Sequence, residues 1–167
     1  MPEAPAPLDV TRILRLFTEA GVEFVVIGGI AAVLQGSPRN TFDLDVCFST
    51  AKANLDALGR VLETLDARLA GVDEEVPFAP DAATLHRIEV LALTTNAGRL
   101  DVLSRPPGAP PFRTLWDRAE QLDVGGFLVR VAAIDDLIAM KQAAGRPKDV
   151  ADIAELETIQ RLRAKAG

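Results

Sequence analysis

The sequence predicts an α/β domain of the α+β kind, with a mixed, mostly antiparallel sheet, helices on one face and a C-terminal helical pair. Three observations predict it. Phe24–Ile27 is a short, continuous apolar run, as expected of an interior strand. Residues 42–48 alternate strictly, with Phe42, Leu44, Val46 and Phe48 on one side and Asp43, Asp45 and Cys47 on the other. Between and after these strands, apolar residues recur at helical spacing.

Taken in order, Val10, Ile13, Leu14 and Phe17 form the apolar stripe of a first helix over about 9–20, started by Asp9 or Thr11 and stopped by Gly21. Strand 24–27 ends in Gly28-Gly29, and Ile30–Leu34 is rich in helix formers up to Gly36. The order is therefore strand, tight glycine turn, helix. After strand 42–48, Leu55, Leu58, Val61, Leu62 and Leu65 mark a helix over 51–69. Residues 71–81 read as a loop. Residues 85–94 and 99–104 read as two strands joined by Asn96-Ala97-Gly98, with Asp101 in the second. A short helix covers 112–120, and Gly125-Gly126 joins two further short strands. Residues 134–144, closed by Gly145, form the first helix of the C-terminal pair. Its partner runs from Pro147, in the favoured first-turn position, to about Lys165.

The 167 residues fit one domain, a core over about 10–132 followed by the helical pair at about 134–165. Hydrophobic residues make up 49% and charged residues 25%, a globular profile. Residues 1–8, with three prolines and no basic flank, read as a frayed lead-in rather than a secretory leader. Glycines and Gln35 interrupt the longest apolar runs well before the ~20 residues of a membrane span, so the expectation is a cytoplasmic protein with no membrane partner. Cys47 is the only cysteine, which excludes an intramolecular disulfide and a thiolate cluster. A net charge of −6 opposes loose grip on nucleic acid.

Asp43 and Asp45, two apart on one strand, project from one face roughly 7 Å apart along the chain. On an interior strand, clustered carboxylates raise one another's pKa and destabilise the fold unless a cation offsets them. Mg²⁺ is the natural choice, because it takes carboxylate oxygens together with phosphate oxygens and retained waters. Gly28 and Gly29, between a strand and a helix, let the backbone approach an anion and point the first N–H groups at it. Arg39, just before Asn40-Thr41 and the carboxylate strand, can hold a phosphate in a bidentate grip. The bland alternatives are an exposed polar edge and a plain tight turn. His86, Cys47 and Trp116 are assigned to structure, with Cys47 sharing the face of the two aspartates.

Ile27-Gly28-Gly29, a thirteen-residue spacer, and Asp43-Leu44-Asp45-Val46 together resemble the signature of the polymerase-beta-like nucleotidyltransferases. The stretch GGIAAVLQGSPRNTFDLDV, residues 28–46, is similar to the small prokaryotic AbiEii/AbiGii toxin-like subset, with glycines, Arg39, Thr41 and both aspartates in order. The resemblance implies the nucleotidyltransferase fold and a third carboxylate on a neighbouring strand, matched by Asp101 in Gly98-Arg99-Leu100-Asp101-Val102-Leu103. It implies catalytic and metal-binding roles for Asp43, Asp45 and Asp101. Gly28, Gly29, Arg39 and Thr41 would serve the nucleotide, and so would Lys141, from a stretch running to Gly145-Arg146-Pro147-Lys148-Asp149. It implies Mg²⁺ as cofactor and an NTP such as ATP as co-substrate, with NMP moved to a hydroxyl and pyrophosphate released. In one departure, Ile30 stands where many relatives carry a phosphate-contacting serine, leaving backbone N–H groups and Arg39 for that contact.

The acceptor stays open among tRNA or another RNA, a small molecule of antibiotic-like type, and a protein. The toxin-like resemblance implies an antitoxin partner, and the short chain leaves room for a homo-oligomer. A non-catalytic module that binds nucleotide or a partner protein is the alternative from a different class.

Overall fold

The structure, a computed structural model, describes residues 4–72 and 78–167. The elements follow in chain order: helix α1 (Val10–Glu19), strand β1 (Phe24–Ile27), α2 (Gly28–Leu34), β2 (Asp43–Phe48) and α3 (Lys52–Thr64). Next come β3 (Arg68–Leu69), α4 (Ala82–His86), β4 (Val90–Thr95), β5 (Gly98–Leu103) and α5 (Phe112–Arg118). Strands β6 (Glu120–Asp123) and β7 (Leu128–Val131) precede α6 (Ile134–Ala144) and α7 (Pro147–Ala166).

All seven strands form one sheet, in the order β3-β4-β5-β2-β1-β7-β6. Pairings β1–β2, β3–β4, β4–β5 and β6–β7 are antiparallel, while β1–β7 and β2–β5 are parallel. The mixed, mostly antiparallel expectation holds. The central strand β2 sits between β1 and β5, so its alternating pattern is imposed on its neighbours. Leu44 pairs with Leu100 and Val46 with Val102, and all four are buried in one core with Ile13, Leu14 and Phe17 of α1 and Leu55, Leu58 and Leu62 of α3. The opposite face carries Asp45 beside Asp101 and Asp43 beside Arg99. That face becomes apolar further along, where Cys47 pairs with Val25 and Leu103.

Several boundaries differ from those the sequence suggests, each for a local reason. The helix expected over 51–69 stops at Thr64. Asp66 takes a positive φ of 50°, the chain reverses, and Arg68–Leu69 pairs with Leu93 and Thr94 as an edge strand. Residues 82–86 form a helical turn where a strand was expected from 85, because the Asp81 side chain accepts a hydrogen bond from the Thr84 N–H at 2.7 Å and caps it. His86 lies in that turn. Part of the loop expected over 71–81, residues 73–77, lies outside the described residues. Leu8 is not frayed: the Asp9 N–H donates to the Ala97 carbonyl at 2.9 Å, fastening the chain to the β4–β5 turn. Among the described residues, no helix is long and apolar enough to cross a membrane.

The C-terminal pair is clamped onto the sheet domain. Gly145 closes α6 in the left-handed conformation, at φ 61°. Arg163 of α7 donates to the Gln35 carbonyl at 3.1 Å and to its side-chain oxygen at 2.7 Å, and pairs with Glu120 at 3.1 Å. Gln35 in turn donates to the Ala132 carbonyl. These bonds fix the C-terminal end of α7 against the end of α2 and the β6–β7 pair.

Candidate active site

The carboxylate face of the sheet ends where β1 runs into α2. Ile27 lies opposite Asp45 in the antiparallel pair, so the next residue, Gly28, sits against the Asp45 side chain. A Cβ on Gly28 would fall 2.1 Å from Asp45 Oδ2, and Gly28 has a φ of 70°, so no residue with a side chain fits without displacing the carboxylate. A Cβ on Gly29 would meet Thr41 Oγ1 at 2.9 Å. Gly28 is therefore required by close approach, beyond making a turn, and a side chain at Gly29 would have to push the Thr41 side chain aside.

Asp45 is the electrostatic centre of this face. Burial, then the charge of Asp101 and a hydrogen bond with it, then the charge of Asp43, push its carboxyl up to about 7, while Arg146 pulls it down. Burial is the larger cause, and the repulsion expected of carboxylates on adjacent strands in parallel register adds to it. Arg99 reaches Asp101 at 3.4 Å, a long contact that neutralises it only in part.

A cavity of about 380 Å³ opens on these groups. One wall is acidic: Asp43, Asp45 and Asp101. Across it stand Arg39, Lys141, Arg146 and Lys148, with Gly28, Gly29 and Thr41 also lining the space. The cavity thus contains every residue that the sequence singles out for metal or nucleotide. The basic wall is held by acids of α7. Lys141 Nζ lies 3.0 Å from Asp152 Oδ2 and 3.9 Å from Asp149. Arg39 Nε lies 2.7 Å from Asp152 Oδ1 and 3.5 Å from Glu155, an ionic contact too poorly aligned to satisfy that Asp152 oxygen as a hydrogen bond. Arg39 is thus engaged by α7 rather than extended for an anion. The buried Asp149 carboxylate accepts from the Arg146 backbone N–H at 3.0 Å, from Nε at 2.9 Å and from the second guanidinium nitrogen at 3.1 Å. Those bonds hold Asp149 below the usual carboxylate range and raise Arg146.

Arg146, Lys148 and Asp152 were not singled out from sequence as site residues. For Arg146 and Lys148 the signal was present in Gly145-Arg146-Pro147-Lys148-Asp149: a glycine stop followed by Pro at the first turn of a new helix places the two basic residues flanking that proline at a helix start. Cys47 does not line the cavity: it is buried beyond Asp45, and burial pushes its thiol up to about 12.

A divalent cation suits the acidic wall. The donors are hard carboxylate oxygens, and a cation would remove the repulsion that raises Asp45. Among the described residues no group of three or more His, Cys, Asp or Glu forms a metal cage. An ion bound here would complete its shell with phosphate oxygens and water, the habit of Mg²⁺ rather than of zinc.

The family model described as a nucleotidyltransferase of unknown function (DUF6036) matches residues 9–165. The chain belongs to this nucleotidyltransferase family. Solved structures show the same fold at low identity. The lincosamide antibiotic adenylyltransferase LnuA, lincomycin-bound, has a TM-score of 0.63 at 17% identity, covering 92% of this chain and 99% of its own. ANT(2″)-Ia in complex with adenylyl-2″-tobramycin gives 0.55 at 18%, covering 93% of each chain. An antigenic nucleotidyltransferase-like protein from Paracoccidioides brasiliensis gives 0.55 at 19%, covering 95% of this chain and 79% of its own. No curated protein matches the sequence. The superfamily expectation is thereby met at the level of family and fold.

Proposed function

We propose that this nucleotidyltransferase moves a nucleoside monophosphate from a Mg²⁺-bound NTP to a hydroxyl of a small molecule. The observation that carries the reading is the single cavity with Asp43, Asp45 and Asp101 on one wall and Lys141, Arg146 and Lys148 on the other. Asp43, Asp45 and Asp101 would hold the metal, which when bound neutralises phosphate charge and makes a hydroxyl easier to deprotonate. The Gly28 and Gly29 approach, with no side chain to exclude a ligand, seats the phosphates. Arg146 and Lys148, at the positive start of α7, stabilise the charge that builds on the departing pyrophosphate. Lys141 and Arg39, already bound to Asp152, serve chiefly to hold this wall in place and trade partners when phosphate enters. A bond forms between the acceptor oxygen and the α-phosphorus as the bond to the β-phosphate bridge breaks, and the hydroxyl proton passes to a carboxylate of the set.

The small-molecule acceptor is supported by the net charge of −6, which disfavours RNA, and by the fold shared with LnuA and ANT(2″)-Ia, whose structures contain lincomycin and an adenylylated tobramycin. An RNA end, with an antitoxin partner, is the second reading, favoured by the likeness of residues 28–46 to the toxin-like subset. The test is incubation with each α-³²P-labelled NTP, Mg²⁺, and either total RNA or a panel of hydroxylated small molecules. Label should pass to a small molecule with wild type and not with Asp45→Asn. Label on RNA would establish the second reading, and undiminished transfer by Asp45→Asn would remove the site assignment. Mg²⁺–NTP binding without any transfer would favour a binding module.

A further inference from the structure

Asp43 lines two cavities: the one described above and a neighbouring groove of about 670 Å³. Among the described residues this groove is walled by Pro5, Leu8, Phe42, Val72 and Arg99 together with Asp43. Its construction is specific. Gly98 has a φ of 104°, and a Cβ there would fall 2.5 Å from Leu8 Cα, so a bare glycine lets the backbone at Leu8 close down on the β4–β5 turn and stand as a wall. Phe42 contributes nothing to the core. It is 80% exposed, one residue before β2, although Leu44 and Val46, which share its place in the sequence alternation, are fully buried. A phenyl ring left in water directly before the first carboxylate offers a flat apolar surface one residue from the reactive groups.

The charges of the groove select among acceptors. Among the described residues its lining contains one cation, Arg99, and that guanidinium is turned to Asp101 at 3.4 Å. The exposed Asp43 carboxylate adds negative potential. An RNA end brings a phosphate with every nucleotide and needs cations to receive them, which this lining does not supply. The volume falls within the ~300–1,000 Å³ range of small-molecule pockets.

We infer that this groove is the acceptor site and takes an uncharged or singly cationic hydroxylated ring compound, with its apolar face on Phe42 and a hydroxyl at Asp43. The inference rests on the nucleotidyl-transfer reading and adds to it the acceptor's place and class. The test is amide NMR on the ¹⁵N-labelled full chain, titrated separately with phenyl β-D-glucoside, a phenyl amino-sugar glycoside, a twelve-nucleotide RNA with a free 3′-hydroxyl, and each Mg²⁺–NTP. The glycosides should shift the amides of Phe42, Val72, Thr95 and Arg99, and the RNA should leave them in place. Phe42→Ala, at an exposed position, should weaken glycoside binding by at least about 5-fold, the loss of one good aromatic contact, with NTP-induced shifts at Gly28 and Gly29 unchanged. Shifts of those four amides by RNA, no response to either glycoside, or an unchanged affinity in Phe42→Ala would overturn the acceptor site alone. Silence of Gly28 and Gly29 to every NTP would overturn the nucleotidyl-transfer reading, and this inference with it.

Discussion

The two walls of the cavity are built by opposite rules. The acidic wall belongs to adjacent strands, and its charges oppose one another: Asp45 is raised to about 7 by burial, Asp101 and Asp43, with only a long contact from Arg99 in relief. The basic wall draws on the helical pair and the segment before β2, and three of its four cations are already matched: Arg146 with Asp149, Lys141 with Asp152, Arg39 with Asp152 and Glu155. One side carries unrelieved repulsion in the free protein, while the other is stable as it stands and must exchange internal partners for a ligand. The sheet wall therefore carries its cost in the free protein, whereas on the helical wall the ion pairs that stabilise it are the ones a ligand has to displace.

The most severe way to break the contrast is Asp45→Asn. Transfer should fall by at least about 10³-fold with loss of a metal donor, yet the metal-free protein should become more stable, by about 1 kcal/mol or more, because a buried and repelled charge has gone. Radiolabel transfer and urea melts in EDTA read the two halves, and a destabilised variant would contradict the repulsion argument. On the opposite wall, Asp149→Asn should destabilise by about 2–3 kcal/mol, since it leaves Arg146 and Lys141 short of a buried partner, again read by urea unfolding.

A pH series sharpens the same difference. Asp45 has a folded pKa above its ordinary value of 3.8, so it binds its proton more tightly when folded. Its contribution is present in full below about pH 4 and is lost as pH rises through 7. Wild-type stability in EDTA, measured against Asp45→Asn, should therefore fall between pH 4 and 7, and Mg²⁺ should flatten that decline. Asp149, held below the usual carboxylate range, has the opposite sign: its contribution is lost only as pH falls through its lowered value. The smallest effect belongs to Lys148→Ala, which should raise the NTP KM about 5-fold and leave stability within about 0.5 kcal/mol, because this lysine is exposed and no acid among the described residues pairs with it.

Much of this was legible in the residues. The alternation over 42–48 fixed which side chains share a face with Asp43 and Asp45, and Gly28-Gly29 marked the junction where the backbone meets them. Asp101 needed more: only the parallel pairing of β2 with β5 brings it beside Asp45, and the sequence pointed to it through family resemblance. What escaped had local or long-range causes. The break at Asp66 and the cap at Asp81 depend on single residues overriding a longer periodic pattern. The engagement of Arg39 by Asp152 and Glu155 depends on where α7 lands, which Arg163 and Gln35 decide from across the fold. The exposure of Phe42 contradicts its place in the alternation, because the pattern continues one residue beyond the strand that enforces it.

The approach of Gly28 to Asp45 has a consequence for how position 28 can vary. Where a side chain acts by its chemistry, a complete set of substitutions grades the loss, so that small or similar replacements do least harm. Here the obstacle is the first carbon itself, 2.1 Å from Oδ2, and every replacement carries it. A saturation scan at position 28 should therefore give a step rather than a slope, with alanine as damaging as tryptophan.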